Sequence, residues 1–342
     1  MSRELTEQVK AVARQSGADI VGIGSMDRYE GAPKQYDARY IYPEAKTIIG
    51  FGFRIPRGYL RGVEEGTHFY QYPAMGYANI NEVYAPAVIR EVVCHVEDLG
   101  YEGVPIRNFG GTGTHSDFDG SLGHDPAFPR SLKYTKPLRE GYPAPDVYVH
   151  FRIAAFICGM GEIGYSNVFL TPEFGPRQRF AFMLTDAPLE PDPIYDGPEL
   201  CDRCMKCVSE CPGALTAKES VTTTVAGHDI EMSKLDPWYC AFAYASGLSE
   251  INPFLPPDAL DEIPDGRKIL NGEKKPTKEE TQKIWGILGR YFPKPNGYNP
   301  AMCGGRGCLR ACMIHLEEQG KLKNRFHEPF RKRPPWWKNP VQ

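Results

Sequence analysis

Nowhere does the chain carry an apolar run approaching the roughly 18 to 20 residues that a membrane-spanning helix needs. Net charge is nearly missing too: 40 basic residues stand against 43 acidic ones, a formal −3. That balance removes any global electrostatic case for nucleic acid or an anionic membrane as partner. The segment "MSRELTEQVKAVARQSGAD" has neither a signal-peptide core nor a twin-arginine pattern. It reads as an amphipathic helix with Leu5, Val9, Val12 and Ala13 on one stripe. Internal repeats and low-complexity tracts are also missing. Together these absences lead us to expect a cytoplasmic protein with no membrane association. Thiols stay reduced in that compartment, so ten cysteines suggest metal rather than disulfides.

The 342 residues suffice for one large domain or two ordinary ones. "DIVGIGS" and "KTIIGFGF" read as short strands, and residues 82–99 as a helix stopped by Gly100. Residues 108–146 are too rich in Gly, Pro and Asp for long regular structure, and a loop of that length is usually functional or disordered. "DVYVHFRIAAFICG" reads as partly helical, and "NVFLTPEFGPRQRFAFMLTD" as a hairpin with Pro172 to Pro176 in its turn. Composition shifts after Asp192, in a Pro-rich stretch. The expected division is therefore 1–192, then 193–320, then a basic and aromatic tail, 321–342, packed by Trp336 and Trp337. An insertion, residues 250–300, lies between Cys240 and Cys303 and carries its own helix, "TKEETQKIWGILGRYF".

Cysteines dominate the second region. "CDRCMKCVSECPGAL" sets Cys201, Cys204, Cys207 and Cys211 in the run C-x2-C-x2-C-x3-C-P, the bacterial ferredoxin pattern. Two-residue spacers let three thiolates on one tight loop reach three irons of a cubane, while the fourth opens a helix and serves another cluster. Pro212 suits the first turn of that helix, having no N–H to leave unsatisfied. Zinc uses paired C-x2-C elements instead. Four further cysteines complete the ligand sets. Cys312 joins Cys201, Cys204 and Cys207 in cluster 1, and Cys240, Cys303 and Cys308 join Cys211 in cluster 2. Two [4Fe–4S] clusters are therefore expected. Cys94 and Cys158 read as buried small apolar residues.

"CGMGEIGY" contains G-x-G-x-x-G at Gly159, Gly161 and Gly164. A dinucleotide fingerprint needs a helix opening on the motif to face the pyrophosphate. "YSNVFLTPEFGPR" follows instead, with a β pattern and two prolines. A glycine loop approaching some other large flat ligand is the better reading.

"GMGEIG", "LTPEFGPRQR" and "LTDAPLEPD", followed by "CDRCMKC…CP", resemble the core of the reductive dehalogenase and epoxyqueuosine reductase superfamily. "GADIVGI", "PEAKTIIGFG", "GYANI" and "LGYEGVPI" match that family's segments in order, and in "WYCAFAYA" Cys240 matches its lone cysteine between two motifs. The resemblance covers about residues 5–215 continuously, then the remaining cysteines. It implies an α+β protein: a nitroreductase-like corrinoid-binding α/β domain followed by a ferredoxin-like domain with two [4Fe–4S] clusters. It further implies base-off cobalamin as cofactor. The sequence has no D-x-H-x-x-G, so no histidine lower ligand is expected. In that reading Gly159, Met160, Gly161, Glu162 and Gly164, with Thr171, Pro172, Glu173, Phe174 and Gly175 of the next turn, line the corrin pocket. Electrons from an external ferredoxin or flavodoxin would enter at the distal cubane, pass to the proximal one, and reduce cobalt.

A protein acid would supply the proton, and a tyrosine tuned by a nearby cation or hydrogen bond suits that task. Tyr77 in "MGYANI" matches the family's dehalogenase tyrosine. Where the family commonly carries Lys or Arg after the glycine loop, this chain has Tyr165, which suggests a different substrate or a relocated donor. Asp146 approximates the register of the aspartate in epoxyqueuosine reductases. His150, Arg152, His115 and His124 are candidate substrate contacts. The expected function is cobalamin-dependent reductive removal of a substituent from a small organic substrate. The rival expectations are an epoxyqueuosine reductase-like tRNA-modifying enzyme and a non-catalytic ferredoxin-type electron carrier. The 250–300 insertion either makes a homodimer contact or shields the distal cluster.

Overall fold

A computed structural model of the protein describes residues 2–108, 136–145, 147–292 and 301–331. Asp146, His115, His124, Trp336 and Trp337 lie outside the described residues. So do the greater part of 108–146 and the end of the tail.

The chain opens with α1 (Arg3–Ser16). Ser2 caps it by accepting the Leu5 N–H, and Gly17 closes it at a positive φ. Strands β1 (Ile20–Ser25) and β2 (Thr47–Arg54) follow as expected. Next come α2 (Arg61–Glu65), a π-helical segment (Tyr72–Tyr84), α3 (Ala85–Asp98) and β3 (Gly103–Ile106). The helix expected over 82–99 is thus the continuation of a longer one whose first turns are wound wide. After α4 (Phe151–Ile157) come β4 (Glu162–Ile163), β5 (Phe169–Leu170) and β6 (Gln178–Thr185).

The main sheet runs β1-β2-β6-β3 with every neighbour antiparallel. Both faces are covered, and the period-two alternation of each strand sorts its residues between two cores. Ile49, Phe51 and Met183 face α1 and α3 in the larger core. Ile48, Phe182 and Leu184 face α4 in the other. One expectation needs correcting: "NVFLTPEFGPRQRFAFMLTD" is not one hairpin. β5 pairs with β4 while β6 enters the main sheet. The turn between them is closed by mutual backbone bonds of Thr171 and Gly175, at 3.0 and 2.8 Å.

The second region starts with α5 (Lys206–Ser209), then a long hairpin of β7 (Leu215–Val225) and β8 (His228–Leu235), then α6 (Pro237–Tyr244) and α7 (Gly266–Leu270). It ends with α8 (Lys278–Tyr291), α9 (Met302–Arg306) and α10 (Cys308–Glu318). α8 is the helix expected in the insertion. Thr277 and Glu280 form a capping box at its start. The two regions share their cores. Val225, Ile230 and Met232 of the hairpin pack with α4. The larger core runs unbroken from Val9 to Met313 and Phe330. Asp192, at the expected boundary, is held from the first region by Lys10 Nζ at 2.5 Å and by the Ile23 N–H at 2.8 Å. Among the described residues no helix is long and apolar enough to cross a membrane.

Candidate functional site

The eight cysteines of the ferredoxin-like pattern fall into two sets. Arg203 and Met205 take left-handed backbone conformations, at φ 54° and 58°, which coil 201–205 tightly enough to turn successive thiols inward. Cys201, Cys204, Cys207 and Cys312 line one pocket together with Gly164 and Tyr165. Burial, and then the neighbouring Cys201, Cys207 and Cys204, push the Cys312 thiol up. The second set shows the same cross-talk. The Cys303 thiol is raised by burial and then by Cys308, Cys240 and Cys211. That of Cys240 is raised by burial, Cys308 and Cys211. Cys308 and Cys312, one turn apart on α10, point to different sets, with Cys308 also feeling Cys207. Four thiols crowded in apolar surroundings repel one another as thiolates. A cationic iron–sulfur core removes that repulsion, so both donor sets fit the expected clusters.

The glycine loop serves the chain itself. Gly161 has φ +152°, and a Cβ there would stand 2.0 Å from the Leu170 carbonyl oxygen. A Cβ on Gly159, at φ +68°, would stand 2.1 Å from the Pro193 oxygen. Met160 is 4% exposed and lies across Gly22 and Gly50 of the sheet. Glu162 accepts the N–H groups of Leu200, at 3.1 Å, and Cys201, while Tyr165 donates its own N–H to Cys201 Sγ at 3.2 Å. The 171–175 turn is clasped by the C-terminal segment. The Lys323 and Asn324 N–H groups bond the Pro172 and Glu173 carbonyls at 2.9 and 3.0 Å, Lys323 Nζ pairs with Glu173 at 2.7 Å, and Leu316 and Leu322 cover Gly175. Thr171 is buried and accepts the Phe174 N–H at 3.2 Å. Among the described residues, this loop and turn thus make their close contacts with the chain itself.

Tyr165 belongs to the first cysteine set: its hydroxyl donates to the Thr216 carbonyl at 3.2 Å. Tyr77 belongs to the second. It sits on the π-helical segment, a wide winding that recurs at functional sites. Its ring stands edge-on to Tyr72, with centroids 5.1 Å apart, and to Tyr244 at 6.2 Å. The Tyr72 hydroxyl reaches that of Tyr77 at 3.4 Å. The Arg179 guanidinium lies 4.1 Å from the Tyr77 ring centroid, steered by its Nε–H to Asn81 Oδ1 at 3.1 Å. Burial, and then Tyr77, raise both Tyr72 and Tyr244 well above the ordinary tyrosine range, while Arg179 pulls the other way. Cys240 raises Tyr244 as well, which puts this aromatic cluster in the field of the second cysteine set. Arg179 carries no motif signal in the sequence; it is the second residue of β6, 102 positions after Tyr77, and only the fold joins them.

Two other candidates resolve differently. His150 is 4% exposed, caps α4 by accepting the Ile153 N–H, and is kept neutral by burial and by Arg152. Arg152 instead lowers the Cys240 thiol and so stands by the second set. Of the two remaining cysteines Cys158 is buried, as expected, whereas Cys94 is half-buried.

No family model matches the chain. It is 27% identical over 216 residues to the tetrachloroethene reductive dehalogenase of Sulfurospirillum multivorans, a match covering 61% of this chain and 40% of that enzyme. A solved reductive dehalogenase, described as suggesting a mechanism for B12-dependent dehalogenation, shares 19% identity at a TM-score of 0.44, over 86% of this chain and 37% of that one. Epoxyqueuosine reductase from Streptococcus thermophilus shares 12% identity at a TM-score of 0.44, over 85% of this chain and 82% of that one. The chain thus spans about two fifths of the length of the curated relative it matches. The resemblance read from the motifs holds: the curated relatives in sequence are reductive dehalogenases, which are oxidoreductases.

Proposed function

We propose that this chain, similar in sequence to reductive dehalogenases, is a cobalamin-dependent reductase. It passes electrons through two [4Fe–4S] clusters and removes a substituent from a small organic molecule. Cys201, Cys204, Cys207 and Cys312 hold the first cluster, and Cys211, Cys240, Cys303 and Cys308 the second. Cys204 is the exposed cysteine among the ten, so the first cluster is the entry point for an external donor, and the second hands electrons on toward Tyr77.

The observation that carries the reading is Arg179 over Tyr77, beside the second cysteine set. The guanidinium over the ring holds the Tyr77 phenol in place beside the second cysteine set. Tyr77 can deliver a proton from its Oη to a carbon, and the Tyr72 hydroxyl, 3.4 Å away, can replace it. The same guanidinium can hold an anionic leaving group. The cation that Tyr165 fails to supply after the glycine loop is thus supplied from β6. Bound cobalamin would provide low-valent cobalt as the group that reacts with the substrate. Because the 159–164 loop makes its close contacts with the chain itself, the reading draws no corrin contact from it. Asp146 has no role in this reading.

The test is anaerobic purification, cluster reconstitution and titration with cobalamin, followed by its visible spectrum. Saturable binding is expected, together with reductive dehalogenation of a halogenated organic substrate at an artificial donor's expense. That activity should fall by about 10²- to 10⁴-fold in Tyr77→Phe, the usual share of a general acid. If both clusters assemble and no corrinoid binds, the enzyme reading is lost and an electron carrier remains.

A further inference from the structure

Five arginines, Arg54, Arg57, Arg61, Arg177 and Arg331, line one pocket of about 460 Å³. They come from the end of β2, the loop after it, the start of α2, the residue before β6 and the C-terminal segment. Among the described residues no carboxylate lines this pocket. Three of the five are paired from behind: Arg54 with Asp19 at 3.1 Å, Arg57 with Glu317 at 3.2 Å and Arg331 with Glu65 at 2.7 Å. Among the described residues Arg61 and Arg177 have no carboxylate in direct contact, although Glu317 lies within the field of Arg177.

Arg177 is the informative member. It is 1% exposed, among the largest fully buried side chains. Its terminal nitrogens bond the Ile55 carbonyl and Asn324 Oδ1, both at 2.8 Å, which fixes the guanidinium plane. Its Nε–H has no partner among the described residues. Burial, opposed by Glu317 and reinforced by Arg57 and Arg54, lowers its pKa to about 10. A buried donor without an acceptor costs roughly 1–3 kcal/mol, more for a charged group, and gathering like charges adds to the cost. Phe326 stiffens the wall, with the Arg57 and Arg177 guanidiniums 3.7 and 5.3 Å from its centroid. A fold that buries one guanidinium with a free N–H, and sets four more around it, is built for a counter-charge.

We propose that this pocket binds a multiply charged phosphoryl anion of diphosphate size, the phosphate portion of a small phosphorylated molecule. Guanidinium forks match phosphoryl oxygens in pairs, and a single carboxylate offers fewer oxygens and less charge than the guanidiniums around this pocket can take. The pocket is also larger than one phosphate needs. None of the residues lining this pocket belongs to the Tyr77 cluster or its cysteine set, and the proposal does not depend on the function proposed for them.

The experiment is calorimetric titration of the cluster-loaded protein with inorganic pyrophosphate at low ionic strength. We expect saturable one-to-one binding, weakened about tenfold in Arg61→Gln and further in Arg54→Gln/Arg61→Gln, with the iron–sulfur absorbance unchanged. Both positions are exposed, so these variants should fold. Preloading with cobalamin should leave pyrophosphate affinity unchanged. The proposal is overturned by the absence of saturable binding. It is also overturned by a folded double variant that binds undiminished, by sulfate binding as tightly as pyrophosphate, or by cobalamin displacing the anion. The corrinoid titration reads separately, so failure of the functional reading is distinguishable from failure of this one.

Discussion

Replacing Gly161 with alanine separates the two meanings of the glycine motif. At φ +152° the residue sits where side chains are strained in any surroundings, at a cost of about 1–3 kcal/mol. The added Cβ would also stand 2.0 Å from Leu170 O and 3.1 Å from Thr171 Cα. Both are backbone atoms, so no rotamer change relieves the overlap and β5 must move. Overlap of this kind typically adds 1–3 kcal/mol. The sum is about 2–6 kcal/mol. At about 2–4 °C per kcal/mol for chains of 150–250 residues, the melting midpoint should fall by roughly 4 °C or more. The shift should propagate to Glu162, which holds Leu200 and Cys201, so the first cluster should be lost sooner on heating than the second. Thermal melts followed at the cluster absorbance and by far-ultraviolet dichroism read both effects. Gly286→Ala is the control. Nothing lies within 4 Å of its Cβ position, and alanine there should gain up to about 1 kcal/mol of helix propensity. A Gly161→Ala protein that melts within a degree of wild type and loses only a ligand would refute the structural account.

Serine at Cys211 should abolish the same reduced-cluster paramagnetic signal as serine at Cys240 or Cys303, while Cys201→Ser and Cys312→Ser abolish the other; a Cys211 variant that groups with Cys201 rejects the crossed arrangement. Arg310 clamps Glu64 with two bonds, at 2.6 and 2.8 Å, and their side chains are 13% and 4% exposed. Arg310→Met should cost about 3–5 kcal/mol in denaturant unfolding because it strands a buried carboxylate, and adding Glu64→Gln should recover much of it; a cost under 1 kcal/mol contradicts the burial argument. Tyr72 and Tyr244 have folded pKa values raised above the unfolded value of about 10. Their contribution is therefore fully present below about pH 10, and is lost as pH rises beyond it, where only the unfolded chain ionises. Melting midpoints should fall above about pH 10, less steeply in Tyr244→Phe; an identical alkaline slope would count against it.

Local chemistry made much of the fold legible. The strands at 20–25 and 47–54, the capped helix at 278–291 and the absence of a helix after Gly164 are each decided within a few residues, by β-branched runs, a Thr–Glu box, or paired prolines. The two-residue spacers bring Cys201, Cys204 and Cys207 to one centre, while the places given to Cys312, Cys240, Cys303 and Cys308 come from the crossed pattern of two-cluster ferredoxins. What sequence could not supply was partner choice. "QRFAFMLT" is apolar on both faces and reads as a strand, but whether it returns on β5 or enters the main sheet depends on residues far away. Arg179 was missed for the same reason: a polar residue near the start of a strand has no pattern, and its meaning comes from lying over Tyr77. The glycine loop shows a second limit. Positive-φ glycines look alike whether they approach a ligand or another stretch of backbone.

The tyrosine cluster and the second cysteine set are tied together by one turn of one helix. Cys240 and Tyr244 stand at i and i+4 on α6, so they share a face. Asp236 fixes the start of that helix by accepting the Tyr239 N–H at 3.0 Å. From the other side α9, which carries Cys303, rests on the Tyr72 ring, where a Cβ on Gly304 would find the ring 3.1 Å away. The distance from the second thiol set to the tyrosines is therefore set by short, rigid elements and not by a loop or a domain hinge. Both regions of the chain are needed for it, since Tyr72, Tyr77 and Arg179 belong to the first and Cys240 and Tyr244 to the second. Neither region can be expected to keep this arrangement alone, because separating them cuts through the shared core.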